Sequence, residues 1–370
     1  MNKKYGHWES NGIEFTNKYK ALVYASQNNT KVEFKYYTSI WKNFDRSLLG
    51  KVPLSVLYKE RAQQLRDRYQ YIVLYYSGGA DSHNILRTFI DNNIKLDEVC
   101  VKWPKVLQSD AIFTPNTIDK SPRNYWSEWE FAIKPILQWL AANKPDIKIT
   151  IKDYVSDVNN ISLLPAFDKL DHMRSGGMLF CSALTDSMNE KKSIGHIYGI
   201  DKPLLVVDDQ NNVGTFFSDF SLGTISTDGD DNGEGFYWAP DFPLLTLEMA
   251  YQTVQYYKIN KEDRKYLKWA TAPLWDLDWS ACVLQKQSDI AKATCYTTWD
   301  YRFQSDKPVS RDRADKFFWF HEYPEFNNAL QEYKHHVTER LSGLDKRFIT
   351  SSKTQVNLTT EIFYIDKIQP

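Results

Sequence analysis

Residues 71–76, YIVLYY, form a continuous apolar run that stops abruptly at Ser77-Gly78-Gly79-Ala80-Asp81-Ser82. A short run of β-branched and aromatic residues bounded by turn residues reads as a strand buried on both faces, the habit of a parallel sheet. The segment that follows, HNILRTFIDNN, has the spacing of an amphipathic helix. Strand, glycine turn and helix therefore follow one another with no intervening loop. Glycine is scarce in this chain, 15 of 370 residues, against roughly 7% in average usage. Two adjacent glycines at this junction mark it as a place where the backbone has a special task.

The neighbouring segments supply the rest of a sheet. Residues 56–70, VLYKERAQQLRDRYQ, predict a helix with Val56, Leu57, Ala62, Leu65 and Tyr69 as its apolar stripe. EVCVKW (98–103) predicts a second strand, 124–144 a helix kinked at Pro135, and 147–155 a third strand. Residues 159–192 read as mainly helical, broken at Gly176-Gly177, and GHIYGIDKP (195–203) as a fourth strand ending in a turn. The two halves of 204–220 flank Gln210-Asn211-Asn212 as a hairpin. Strand–helix alternation from 71 to 203 predicts an α/β fold, an open parallel sheet with helices on both faces.

Beyond this unit, residues 201–250 hold one basic residue, Lys202, and ten acidic ones, a net of −9. Residues 241–343 are aromatic and largely helical in pattern. The expected organisation is an aromatic-rich extension over 1–60, a nucleotide-binding domain over 61–205, and a mainly helical acceptor region over 206–370. The aromatic surplus, with Trp 12, Tyr 23 and Phe 20, fits core packing or a stacking pocket equally well.

Several function classes fall away. With 46 basic and 47 acidic residues, net charge does not indicate a nucleic-acid binder, although a local basic face stays open. No run approaches the length of a transmembrane helix, so no membrane partner is expected. The segment MNKKYGHWESNG has a basic start without an apolar core and predicts no signal peptide, which points to the cytoplasm. Cys100, Cys181, Cys282 and Cys295 are widely spaced. That spacing suits reduced thiols and excludes a zinc ribbon or a standard iron–sulfur motif. The three N-x-[ST] sequons, at Asn28, Asn160 and Asn357, carry no weight without secretion.

Ser77 to Ser82 carry the chemistry. Two glycines let the backbone bend and approach an oxyanion, while the N–H groups at a turn and helix amino terminus form an anion nest. Ser77 and Ser82 add hydroxyls, and Asp81 offers an oxygen ligand for a magnesium ion bridging phosphates. Neither G-x-x-x-x-G-K-[ST] nor G-x-G-x-x-G occurs. The hexapeptide instead resembles SGGxDS, the pyrophosphate loop of the N-type ATP pyrophosphatases. That superfamily includes asparagine synthetase, GMP synthetase, NAD synthetase, and the tRNA-lysidine and 7-cyano-7-deazaguanine synthases. The stretch VLYKERAQQLRDRYQYIVLYYSGGADS is also similar to phage-encoded members labelled asparagine synthase-like or phosphoadenosine phosphosulfate reductase-like.

The resemblance implies a HUP/Rossmann-like fold, ATP and Mg2+ as cofactors, and cleavage of ATP to AMP and pyrophosphate while a carboxylate or carbonyl oxygen is adenylated. It implies pyrophosphate and magnesium contacts from Ser77, Gly78, Gly79, Asp81 and Ser82, with Asp81 catalytic. The end of the second strand, Val101, Lys102 and Trp103, falls where such folds hold adenine by main-chain groups, and Trp103 fits stacking or core packing. In GIDKP, Asp201 is a candidate second magnesium ligand and Lys202 a candidate catalytic cation facing the departing pyrophosphate; an ordinary Asp-Pro turn is the alternative. Location would be cytoplasmic, in a host if the chain is phage-encoded.

The implied partners are a small-molecule or nucleobase acceptor and a separate nitrogen donor, with a homo-oligomer left open. Glutaminase-bearing asparagine synthetases begin with a nucleophilic cysteine at position 2, whereas this chain has Asn2 and no cysteine before Cys100. A reductase needs a cysteine near the carboxy terminus, and none lies in 296–370. Sulfur transfer and a nucleotide-binding interaction or virion protein without turnover are the alternatives. Weaker candidates are Arg61, Arg66 and Arg68, on a solvated helix face or against a polyanion. Arg174 beside Gly176-Gly177, Cys181 as a sulfur carrier, and His335-His336 complete the set.

Overall fold

The computed structural model describes residues 5–15, 21, 24–25, 27–102, 129–152, 193–199, 202–217, 233–269, 281–296, 349–351, 356–358 and 360–369. Strands β1 (Gly6–Ser10), β2 (Ile13–Phe15) and β3 (Glu33–Tyr36) make an antiparallel sheet in the order β2-β1-β3. Helix α1 (Leu54–Arg68) follows and leads into β4 (Tyr71–Tyr75). Helix α2 (Ala80–Asp91) and β5 (Glu98–Lys102) come next, then α3 (Lys134–Asn143) and β6 (Lys148–Lys152). One π-helical turn, Trp129–Ile133, runs into α3, and Pro135 sits in its first turn. The expected kink is thus a change of helix type at a position where proline's missing N–H does no harm.

The chain continues with β7 (Ile194–Tyr198), β8 (Leu204–Val207), β9 (Asn212–Phe216) and β10 (Gly233–Gly235). After them come α4 (Pro243–Ile259), β11 (Lys268–Trp269), α5 (Ala281–Cys295), β12 (Ile349–Ser351), β13 (Val356–Leu358) and β14 (Phe363–Lys367). Five strands form a wholly parallel sheet in the order β10-β7-β4-β5-β6. The fold is α/β, with a Rossmann-like parallel sheet as expected. Its fifth strand, β10, comes from beyond residue 205, so this sheet draws on both sides of the boundary read from the charge pattern. The described residues beyond 206 form strands as well as the helices α4 and α5.

Burial explains the order. Ile72 and Leu74 of β4 enter a large core with Leu57, Tyr58, Leu65, Leu86, Phe89, Ile136, Leu140, Leu245 and Met249. This cluster gathers α1, α2, α3 and α4 on one face of the sheet. Val73, on the other face, packs with Cys100 and Ile194. The strand is therefore buried on both sides, the reason its sequence lacks polar alternation.

A second sheet, β11-β8-β9-β14, holds the expected hairpin, with Leu204 opposite Phe216 and Val207 opposite Val213. Asn211 turns the hairpin at φ 62°, and Asp208 accepts hydrogen bonds from the N–H groups of Gln210 and Asn212. Against this sheet lies an aromatic core. Trp238 is 4.3 Å from Phe217 and 5.7 Å from Tyr36, and Trp41 is 4.8 Å from Phe217, centroid to centroid. Trp8, Tyr5 and Phe363 are buried with them. Among the described residues these rings build core and join the amino-terminal sheet to the rest.

Helix α1 corrects one reading. Its buried positions are Leu54, Leu57, Tyr58, Arg61, Ala62 and Leu65, whereas Val56 is exposed. Arg61 is 0% exposed and bonds Glu234 Oε2 at 3.0 Å, the Gly235 carbonyl at 2.9 Å and Asp241 at 3.4 Å. Arg68 bonds Glu234 Oε1 at 2.6 Å and also Asp241, while Arg66 pairs with Asp97. Arg61 is therefore no part of a solvated face, whereas Arg66 is half-buried and Arg68 exposed, each engaged in an ion pair. Arg61 and Arg68 hold α1 to β10, and Arg66 ties α1 to the segment before β5. A buried guanidinium is tolerated because its charge and most of its donors are met.

Candidate functional site

In an open parallel sheet the ligand crevice lies beyond the carboxyl ends of the strands, where the strand order reverses direction. Here that point is between β4 and β7: β5 and β6 follow on one side of β4, β7 and β10 on the other. The register aligns Tyr75, the last residue of β4, with Tyr198, the last of β7. The segments that leave the two strands at this point are SGGADS and GIDKP, so the fold brings both candidate motifs to one crevice.

The loop is shaped by its glycines. Gly78 has φ +71°, and a Cβ there would lie 2.9 Å from Ile133 Cγ1 and 3.1 Å from Ala132 Cβ. Gly79 is the N-cap of α2, with no side chain capping the helix. The first intrahelical donor is His83 N–H, to the Gly79 carbonyl at 2.9 Å. The amide groups of Ala80, Asp81 and Ser82 precede it, in the position where helix amino termini receive anions. Ser77 is exposed and Ser82 buried. The Ser82 hydroxyl donates to the Gly79 carbonyl at 3.0 Å and accepts from Ser77 N–H at 3.2 Å. Ser82 thus braces the loop internally, and the hydroxyl of Ser77 accepts from Gly79 N–H at 3.4 Å.

Asp81, in the first turn of α2, is the hub. Lys202 Nζ lies 3.1 Å from Oδ1 and 3.4 Å from Oδ2, and the Tyr296 hydroxyl donates to Oδ1. The Tyr237 hydroxyl donates to the Asp81 main-chain carbonyl at 2.6 Å and accepts from Asn84 Nδ2 at 3.1 Å. Burial by itself would raise the Asp81 carboxyl, but the Lys202 charge and the hydrogen bonds from Tyr296 and Lys202 outweigh it and hold it below the usual range. Asp81 is therefore an anion at neutral pH. The side chain of Lys202 is only 8% exposed, that of Asp81 24%. Gly199 makes this approach sterically feasible, since a Cβ there would lie 3.0 Å from Ser82 N.

No protein-family model matches the chain, and no curated protein matches it either. What the site can do rests on its own geometry.

The remaining sequence candidates divide clearly. Val101 is buried in the core and its backbone pairs with Ile151, and Lys102 closes β5 opposite Lys152. Trp103, Asp201, Arg174, Gly176-Gly177, Cys181 and His335-His336 lie outside the described residues. Among the described residues no group of three or more His, Cys, Asp or Glu side chains is placed to hold a metal. One carboxylate together with phosphate oxygens and water is a set magnesium accepts. Asp81 therefore fits a magnesium ion that arrives on a phosphate.

Sequence reasoning missed Tyr237, Lys292 and Tyr296. Tyr237 follows β10, and its ring stacks on Tyr296 at 5.5 Å. Lys292 lies one turn before Tyr296 and pairs with Asp289 at 3.3 Å. Burial, then the charge of Lys202, lowers the Lys292 ammonium. Nothing in the spacing of 237, 292 and 296 ties them to residue 81; their sole signal is aromatic and basic content in a segment of unread purpose. Cys295, between Lys292 and Tyr296, is buried, and burial pushes its thiol up to about 11. That places it outside the reactive class, where thiols are exposed and ionised. No helix among the described residues is long and apolar enough to cross a membrane.

Proposed function

We propose that the chain is an ATP-dependent adenylating enzyme. It splits ATP to AMP and pyrophosphate while activating a carboxylate or carbonyl oxygen for attack by a nitrogen nucleophile, in the manner of asparagine synthetase without its glutaminase. The observation that carries this reading is the meeting of SGGADS and Lys202 at the switch point, with Lys202 Nζ 3.1 Å from Asp81. A glycine turn with forward-facing amides at a helix amino terminus suits the terminal phosphates of a nucleotide. Lys202 supplies fixed positive charge where the departing pyrophosphate accumulates negative charge.

Each described residue has a part in this reading. Gly78 lets the loop turn tightly against Ala132 and Ile133, Gly79 opens the helix, and the Ala80, Asp81 and Ser82 amides donate to phosphate oxygens. Ser82 keeps the loop closed on itself. Tyr237 and Tyr296 fix the first turn of α2 so that Asp81 and Lys202 hold their positions before ligand arrives. A magnesium ion carried by the phosphates, with Asp81 as its protein ligand, supplies charge neutralisation when bound. The acceptor is a small molecule or nucleobase, and the nitrogen donor comes from outside the described residues.

Incubation with ATP, magnesium and a panel of acceptors, with AMP and pyrophosphate measured, tests this. Acceptor-dependent release of both products is expected, lost in Asp81→Asn. Release of ADP and phosphate overturns the reaction class, and pyrophosphate release that survives in Asp81→Asn overturns the site. ATP binding without turnover on any acceptor supports instead a nucleotide-binding interaction protein.

A further inference from the structure

The Asp81 carboxylate is oriented by a side chain 215 positions further along the chain, that of Tyr296. Each oxygen of a carboxylate has about two lone-pair sites. Both are taken at Oδ1: the Tyr296 hydroxyl donates to it, and Lys202 Nζ lies 3.1 Å away. Among the described residues Oδ2 meets Lys202 alone, at 3.4 Å. The Asp81 side chain keeps 24% of its surface exposed, so a ligand in the crevice reaches it. Tyr296 is itself fixed from three directions. Its ring stacks on Tyr237 at 5.5 Å, and its N–H donates to the Lys292 carbonyl of α5 at 2.9 Å. The Tyr58 hydroxyl holds the neighbouring Cys295 carbonyl at 2.9 Å. Tyr296 is buried, so little water competes for its bond to Asp81.

We propose that Tyr296 is a positioning residue for magnesium: together with Lys202 it occupies Oδ1 and leaves Oδ2 of Asp81 as the oxygen that ligates the metal. The inference rests on the reading above, in which Asp81 receives a magnesium ion carried by phosphates. It adds a residue from the region expected to contact only the acceptor. A carboxylate free to rotate presents either oxygen and loses that freedom when a metal binds. One already anchored by hydrogen bonds has less to lose. Lys202 lies at nearly equal distances from the two oxygens and hardly distinguishes them. The Tyr296 hydroxyl, on Oδ1 alone, is what makes them different. The metal site is then complete only while the end of α5 is docked on the first turn of α2. Tyr296→Phe isolates this role, because it keeps the ring and its stack on Tyr237 and removes the one donor.

Calorimetric titration of the full chain with ATP in EDTA and with magnesium–ATP, for wild type and Tyr296→Phe, tests the assignment. Wild type should bind magnesium–ATP more tightly than metal-free ATP. Tyr296→Phe should weaken magnesium–ATP about tenfold, the scale of losing a hydrogen-bond partner of a ligating carboxylate. Metal-free ATP should bind both proteins equally, and thermal melts should show the variant folded. Manganese titration in the presence of pyrophosphate, with free Mn2+ counted by electron spin resonance, should show the same loss. Equal magnesium–ATP affinity in the two proteins overturns the role of Tyr296. Tighter binding by the variant overturns it too, by making the phenol a competitor of the metal. Equal weakening of metal-free ATP also overturns it, by revealing a general disturbance of the loop. Wild-type protein whose ATP affinity ignores magnesium overturns the metal reading of Asp81, and wild-type protein that binds no ATP overturns the nucleotide reading itself.

Discussion

Lys202 Nζ contacts both carboxylate oxygens of Asp81, at 3.1 and 3.4 Å, joining the segment after β7 to the first turn of α2. The two residues are 121 positions apart in the chain. Lys202→Met should therefore do two things. Removing a charge-assisted bond at a largely buried pair should cost about 2 kcal/mol in chemical denaturation. Pyrophosphate release should fall about a hundredfold, the scale of losing one preorganised charge at a developing anion. An unaltered turnover number would remove Lys202 from the chemistry and leave it a structural partner.

Asp97 gives a pH signature independent of the proposed activity. Its side chain is 5% exposed, and it meets Arg66, Lys95 and the Ile72 N–H at 2.8 Å. Burial works to raise its carboxyl, but those three partners outweigh it and hold it below the usual range. A depressed folded value means the stabilisation is in place at neutral pH and is lost as acid protonates the group, below about pH 4. Thermal melts from pH 6 to 3 should show wild type losing stability more steeply than Asp97→Asn at the acid end. Parallel curves would mean the carboxyl is not depressed.

Arg61 should matter for stability and not for nucleotide. Arg61→Met leaves the buried Glu234 with Arg68 as its remaining cation and should cost about 3 kcal/mol. ATP affinity, measured well below the onset of unfolding, should match wild type. A selective loss of ATP binding in a fully stable variant would return Arg61 to the site.

Gly199 and Gly78 should respond differently to alanine. At Gly199 the added methyl meets the Ser82 amide at 3.0 Å. Overpacking of this kind costs about 2 kcal/mol and should push the helix terminus off its ligand, weakening ATP binding. At Gly78 the positive φ adds strain of about 1 kcal/mol or more to the contact with Ile133. Thermal melts paired with nucleotide titration separate the two effects, and an undisturbed Gly199→Ala protein would mean the β7 turn and the loop are not in contact.

Much of the sheet was legible in the sequence because its signals are local. YIVLYY and EVCVK carry their burial in consecutive residues and KITIK alternates polar with apolar ones, and each became a strand. The hairpin at Asn211 was legible for the same reason, since asparagine tolerates positive φ. Strand β10 was not. Gly-Glu-Gly has little strand propensity, lies in the acidic stretch of 201–250 and carries no apolar run to mark a strand. They pair with β7 because Glu234 finds Arg61 and Arg68, more than 160 positions away. Arg61 was misread for the complementary reason: a lone arginine in a helix looks solvated until its distant carboxylate is known.

By itself the sequence determined the strand–turn–helix at 71–91, the SGGADS loop and the α/β class, because each depends on side chains within a few residues of one another. The tertiary structure alone decided that Lys202, Tyr237 and Tyr296 converge on Asp81, and that Arg61 of α1 is internal. Those outcomes are set by charge pairing and burial across long chain separations, which leave no periodic trace in the residues that take part.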